Sequence, residues 1–340
     1  MATIKDVAAM AGVSISTVSY ALNGNRSISE RKKLVIKEAA QKLGYRPRAI
    51  ARSLASGRTH IIAILFPPVD HGIGLPEIDL IMEASRNVMS RAYHLVIWTL
   101  RTTDPDELVQ LISQELVDGV IMMEVHRKDS RIAALREAGI PFILLGRDDT
   151  APAETYVDID FFTTIMQCLV WLKNLGHRRI VFINQSKKSF RNGYGPVVRA
   201  HESFTELCHS LEIDGKEYFC ESSGETVLGR MKEIFTACPG VTAFVVMNDR
   251  ALPGIISGIT QQGLSIPADV SVVSIVSSAA AASYMVPKLS LFEMDIGRLV
   301  EAAVSQLIAK IEGHYVEIQE RLIPCILREY QSTGPAKNGA

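Results

Sequence analysis

From residue 61 to residue 275 the sequence alternates between short apolar runs and longer segments of helical periodicity. Ile61-Ile62-Ala63-Ile64-Leu65-Phe66 is nearly continuous in apolar side chains, as a strand buried on both faces requires. Strands are expected at 61–66, 94–98, 119–123 and 142–145, with helices at 77–93, 105–115 and 130–138 between them. The scheme repeats with helices at 162–175, 197–211, 225–237 and 251–262 and strands at 179–184, 217–220, 243–246 and 270–275. Repeated strand–helix units close by right-handed crossovers into open parallel sheets. Two such sheets joined by crossing strands leave a cleft, and ligands of these folds sit at the carboxyl ends of the strands that face it.

Residues 1–60 have another character. The whole chain of 340 residues carries 36 Lys+Arg against 37 Asp+Glu, a formal charge of -1. Residues 1–60 hold 11 basic and 3 acidic residues, so they are +8 and the remainder is -9. A basic head on an acidic body suits a polyanion partner; a solvated helix surface is the alternative. Thr3 is placed to cap a helix with Asp6 in its first turn and Ile4, Val7, Ala8 and Ala11 on one face. Gly12 ends it, because glycine takes the left-handed backbone cheaply. Ser14 then caps a second helix from Ile15 to about Leu22, with Val18, Ala21 and Leu22 inward. Asn23-Gly24-Asn25 is turn chemistry. A third helix opens at Ser29, with Leu34, Val35, Ala39 and Leu43 expected inward and Gly44 at its end. Helix, tight turn, helix is the arrangement that lays a second helix in the DNA major groove; a plain three-helix bundle is the alternative. Periodicity leaves Ile15, Ser16 and Tyr20 on the outer side of the second helix. There a serine can bond base edges, an isoleucine can touch a thymine methyl, and a tyrosine offers ring and hydroxyl.

Residues 3–54 closely resemble the DNA-binding head of the LacI/GalR family of bacterial transcription regulators. The resemblance is carried by Thr3-Ile4-Lys5-Asp6-Val7-Ala8, Ala11-Gly12-Val13-Ser14, Thr17-Val18-Ser19, Gly44-Tyr45-Arg46-Pro47, and then Ala51 and Leu54. It continues in Leu175-Gly176-His177-Arg178-Arg179-Ile180, in Asn248-Asp249 and over residues 263–273. It implies an all-α helix-turn-helix head on an α/β periplasmic-binding-protein-like body of two parallel-sheet subdomains. The head would span 1–46, a hinge helix 47–58, and an effector-binding and dimerisation body 59–330. One subdomain would comprise about 59–160 with 290–320, the other about 161–289 with 321–330. The polar tail 331–340 is expected to be disordered.

By the same resemblance, Ile15, Ser16 and Tyr20 choose the operator sequence. Thr3, Ser14, Thr17, Asn23 and Tyr45 contact phosphates or set the docking, and Arg48 replaces a common asparagine. The hinge helix is short enough to be marginal alone in water. Its Ala51, Leu54 and Ala55 would enter the minor groove, with Leu54 wedged between base steps. The partners implied are a double-stranded DNA operator, a second copy of the chain, and a small-molecule effector in the cleft. The regulator would be a repressor.

The effector candidates are Arg147, Arg199, Asn248, Asp249 and Val276, and here the chain departs from the family. An acidic pair common after the last strand is replaced by Val276 and Ser277, an aromatic pair by Gly74 and Leu75, and a Gly-Phe pair by Glu202 and Ser203. Arginines without the usual acids suggest an anionic ligand, a phosphorylated sugar or a carboxylate. Loss of small-molecule sensing is the other reading. No GxxxxGK[ST], HExxH or GxSxG motif occurs, and the histidines show no metal-ligand spacing, so neither catalysis nor a metal or cofactor is expected. His177 is expected to be structural. The five scattered cysteines fit a reducing cytosol without disulfides. No run of about 18 apolar residues suggests a membrane span, and the first residues lack a secretory h-region. A periplasmic-type solute receptor would need that signal and no basic head; a sugar kinase would need a phosphate-binding glycine loop.

Overall fold

A computed structural model describes residues 2–23, 28–45, 57–67, 73–100, 105–151, 154–221, 224–314 and 321–337. The head is three helices: α1 (Ile4–Ala11), α2 (Ile15–Asn23) and α3 (Glu30–Lys42). The Thr3 amide and hydroxyl each donate to the Asp6 carboxylate at 2.8 Å, closing the start of α1. Gly12 sits at φ +64°, and the Val13 amide returns to the Ala8 carbonyl at 3.1 Å, so α2 turns sharply off α1. Val7, Val18 and Ile36 meet at the centre of the head, fully buried. The expected inward face of α3 is corrected. Leu34 and Val35 are 61% and 43% exposed, and the packed stripe is Ile36, Ala39, Ala40 and Leu43. That stripe keeps helical spacing, but its phase is set by Ile36, which the sequence reading passed over.

Two six-stranded sheets form the body. The first has the order β11-β5-β4-β3-β1-β2, with β1 (Ile61–Phe66), β2 (His94–Thr99), β3 (Gly119–Met122), β4 (Phe142–Leu145), β5 (Tyr156–Ile159) and β11 (Leu322–Ile323). The second has the order β12-β10-β9-β8-β6-β7, with β6 (Arg179–Asn184), β7 (Asp214–Phe219), β8 (Ala243–Val246), β9 (Ser271–Ser277), β10 (Ser290–Glu293) and β12 (Ile326–Arg328). Among the described residues every strand pairing is parallel except β10 with β12. The intervening helices are α4 (Leu75–Ser90), α5 (Pro105–Ile112), α6 (Ser130–Glu137), α7 (Phe161–Asn174), α8 (Lys187–Arg191), α9 (Gly195–Ser210), α10 (Gly224–Ala237), α11 (Leu252–Gln261), α12 (Ala279–Ser283) and α13 (Ile296–Glu312). The central strands β1, β3 and β8 are buried, as their apolar runs demand. β7 begins at Asp214, earlier than expected, because as an edge strand it tolerates Asp, Lys and Glu.

The chain crosses between sheets three times: between β5 and α7, between β10 and α13, and between β11 and β12. This corrects the expected subdomain division. Residues 290–293 belong to the second sheet, and 322–323 pair with β5 in the first. Only from α13 does the chain rejoin the first subdomain, where that helix packs on α4, β3, β4 and β5. The expected disorder of the tail is also corrected over residues 331–337. Ser332 is fully buried, and its carbonyl accepts from the Val272 amide at 2.8 Å. Buried His177 places its Nδ1 2.9 Å from the Thr242 hydroxyl and its Nε2 3.0 Å from the Gly334 carbonyl oxygen. Polar composition misled because these residues satisfy backbone groups beside β9 rather than water. Among the described residues no helix is long and apolar enough to cross a membrane.

Candidate functional site

Two places can do chemistry, one in the head and one between the sheets. In the head, Ser14 accepts from the Thr17 amide at 3.2 Å, and its hydroxyl lies 2.8 Å from that of Ser16 and 2.7 Å from that of Thr17. Three hydroxyls thus gather where α2 presents unsatisfied amides and the positive end of its dipole, a setting that attracts phosphate. Ile15 is 45% exposed and Ser16 is exposed beside it, while Tyr20 is half-buried. Thr3 is exposed but already holds Asp6 through its hydroxyl, and this hydrogen bonding lowers the Asp6 carboxyl pKa. Tyr45 is half-buried against the head core. Asn23 ends α2. Arg48, Ala51, Leu54 and Ala55, the hinge candidates, lie outside the described residues.

Between the sheets is a cavity of about 430 Å³. The first subdomain lines it with Gly74, Leu75, Ile78, Glu124 and Leu145, and the second with Gln185, Tyr194, Asn248, Asp249, Val276 and Met285. Three effector candidates, Asn248, Asp249 and Val276, therefore reach it. Asn248 is fixed by its amide, which donates to the Cys220 carbonyl at 3.2 Å. Asp249 accepts from the hydroxyls of Ser274 at 2.7 Å and Ser277 at 2.8 Å. Serines three apart would face opposite sides of a regular strand. The register slips between β9 and β10 at this point, so that Ile275 pairs with Phe292 and Ser277 with Glu293. Val276 is the extra residue, held at φ +56°, and its insertion brings both hydroxyls to one acid. Glu124, at the end of β3 on the facing wall, is also at positive φ, +54°. Strained backbones on both walls mark this cleft as a place where packing serves something other than stability.

Arg147 and Arg199 do not line the cavity. Arg199 is buried, 3.0 Å from the Asp158 carboxylate, and donates to the Arg147 carbonyl at 3.2 Å. Arg147 itself leans on Asp149 at 2.9 Å and on Asp158 at 3.4 Å. Burial raises the Asp158 pKa and lowers that of Arg199 despite their attraction, as expected where desolvation outweighs the pair. The two guanidiniums that suggest an anionic ligand spend their charge on Asp158 and Asp149. Sequence reasoning missed Asp158 and Ser274, and it read Ser277 only as the replacement of an acid. Their signal was present: polar residues inside otherwise apolar strands.

The subdomains are also tied directly at one side of the cleft. The Arg127 amide donates to the Gly193 carbonyl at 2.8 Å, and the Gly195 amide to the Val125 carbonyl at 3.1 Å. The Arg127 guanidinium grips Glu202 with two bonds of 2.9 and 2.7 Å. Its pKa is raised, with the hydrogen bond to Glu202 the leading cause. Glu202 is one of the residues at which the chain departs from the family pattern.

Residues 3–48 match the family described as bacterial regulatory proteins, lacI family, and residues 171–333 match the periplasmic binding protein-like domain. This chain belongs to the LacI family of transcription regulators. Its relatives include the regulator RegA of Clostridium saccharobutylicum, 29% identical with 98% of this chain and 100% of that protein covered. The regulator CelR of Thermobifida fusca is 28% identical over 82% of this chain and 83% of its own. Among solved structures, a lac repressor dimer bound to operator and the anti-inducer ONPF superposes with a TM-score of 0.82 at 20% identity, over 98% of this chain and 99% of that one. A CelR–cellobiose complex gives 0.71 at 23% identity, over 98% and 100%. These structures share the fold. The LacI-family chain is thus a DNA-binding transcription regulator with an effector-binding domain, and its relatives are regulators rather than enzymes.

Proposed function

We propose that this regulator is a cytoplasmic repressor that binds a palindromic operator as a homodimer and answers to a small molecule in the cleft. In this reading residues 1–46 form the head, 47–58 the hinge helix and the rest the sensing body. Ile15, Ser16 and Tyr20 read base edges. Ser14 and Thr17, with Thr3, Asn23, Tyr45 and Arg48, dock on phosphates, and Ala51, Leu54 and Ala55 enter the minor groove. The observation that carries the reading is the cluster of Ser14, Ser16 and Thr17 hydroxyls beside exposed Ile15, in an N-terminal segment (residues 1–60) of charge +8. Asn248, Asp249 and Val276 face the effector. Arg147 and Arg199 act behind Asp158 instead of touching the ligand, which removes the support for a phosphorylated sugar.

The test is operator selection from random duplexes with the full chain, followed by footprinting. The wild type should select an inverted repeat and lose affinity steeply with salt, with a log–log slope near -0.9 per phosphate contact. Replacing Ile15, Ser16 and Tyr20 together should select a different half-site. An unchanged footprint would refute their role, and indifference to every duplex at low salt would refute the function.

A further inference from the structure

The cleft carries charge of one sign. Glu77, Glu124, Asp158 and Asp249 line it, against Arg250 alone among the described lining residues. Arg199 neutralises Asp158 from behind. The Arg250 guanidinium lies against Gly74 on the facing subdomain. Asp249 is held by two neutral hydroxyls, and among the described residues no cationic side chain pairs with it. The Gln185 side-chain oxygen is buried on the same lining with no hydrogen-bond donor. The rest of the wall is mostly apolar, with Leu75, Ile78, Leu145, Val276, Met285 and Met294, and its other polar members are Asn248 and the tyrosines Tyr194 and Tyr284. A sugar wants donors and acceptors around its whole rim, and a phosphate wants guanidinium or helix amides. The polar groups of this wall are mostly acceptors, and the Asn248 amide is spent on the Cys220 carbonyl, while most of the surface between them is apolar.

We propose that the ligand of this cleft is a compact apolar molecule bearing an ammonium group, with Asp249 as its counter-charge. The proposal rests on the cleft being the effector site. A cation opposite a buried acid relieves the cost that burial imposes on the carboxylate, and its N–H groups give charge-assisted bonds. The aliphatic body then covers the methionine and leucine wall, where removal from water supplies the rest of the affinity. The two serine hydroxyls keep Asp249 aimed, which is what the Val276 bulge achieves.

The test uses the full chain and three molecules of matched shape: cyclohexylmethylammonium, cyclohexylmethanol and cyclohexanecarboxylate, with glucose and glucose 6-phosphate beside them. Calorimetry and thermal melting are read at neutral pH. The ammonium should bind at least about tenfold more tightly than the alcohol, a difference of about 1.4 kcal/mol, and the carboxylate should bind most weakly. Asp249→Asn, checked for an intact melting transition, should bring the ammonium and the alcohol within about threefold of each other (~0.7 kcal/mol). Asp214→Asn, an acid on the far edge strand, should leave the order untouched. If glucose or its phosphate binds and the ammonium does not, the ligand class is overturned while the effector site stands. If Asp249→Asn keeps the preference, the counter-charge is overturned. If nothing in the panel binds, both the ligand class and the sensing role of the cleft fall.

Discussion

Asp249 is an acid kept among neutral partners. Burial raises its pKa above the ordinary 3.8, and the Ser274 and Ser277 hydroxyls only partly offset this. The folded chain therefore binds a proton more readily than the unfolded one. Stability from this group is fully present below pH 3.8 and is lost as pH rises through the folded-state value. Asp249→Asn removes that loss, so in the ligand-free protein it should stabilise at pH 7, and the gain should shrink to nothing near pH 3.8. Urea melts at both pH values check it; a variant less stable than wild type at pH 7 would contradict the account. At this scale the sequence was legible where a residue's role is local. Thr3, Asp6, Gly12 and Ser14 announce a capped helix, a left-handed turn and a second cap, and the structure has each. It was illegible for Arg199, because the partner that neutralises it, Asp158, lies 41 residues away in sequence, and only folding brings them to 3.0 Å.

The elements were read from periodicity and apolar runs, which recovered the long helices and the short but wholly apolar β4 and β8. β5, where Asp158 interrupts the apolar run, and two-residue β11 carry no such run, and they are specified by the strands beside them. The phase of α3 is hard to read because Leu34, Val35 and Ile36 are consecutive apolar residues, and only Ile36, with Ala39 and Ala40, reaches the core. The bulge in β9 is likewise invisible to an alternation count, since it exists to break the alternation. It carries its own prediction. Valine at positive φ is strained by about 1–3 kcal/mol, and glycine relieves that strain. Val276→Gly should therefore cost less than about 1 kcal/mol, the relief offsetting the lost half-buried side chain. Val272→Gly, in the regular and fully buried part of the same strand, should cost about 3 kcal/mol or more. Equal losses at the two positions, measured by denaturant melts, would mean that the bulge stores no strain.

At the scale of the molecule, three crossings make a hinge, and the ties between residues 125–127 and 193–195 resist its opening. A ligand that closes the cleft works against a resting balance that such ties set. The Arg127–Glu202 pair is part-exposed, and pairs of that kind contribute up to about 1 kcal/mol and are screened by salt. Glu202→Gln should thus shift the balance between closed and open bodies by up to about fivefold, and 1 M salt should do the same to the wild type. Gly195 is the firmer tie. A Cβ there would stand 2.7 Å from the Arg199 guanidinium and 2.8 Å from the Val125 carbonyl oxygen, and the backbone oxygen cannot swing aside. Gly195→Ala should therefore open the cleft further than Glu202→Gln does. Small-angle scattering of the ligand-free chain reads the opening as a larger radius of gyration, in the order wild type, Glu202→Gln, Gly195→Ala. Weaker cleft binding should follow the same order, because a ligand held by both walls binds only the closed fraction. One radius shared by all three proteins at low and high salt would show that the crossings alone, and not these ties, hold the subdomains together.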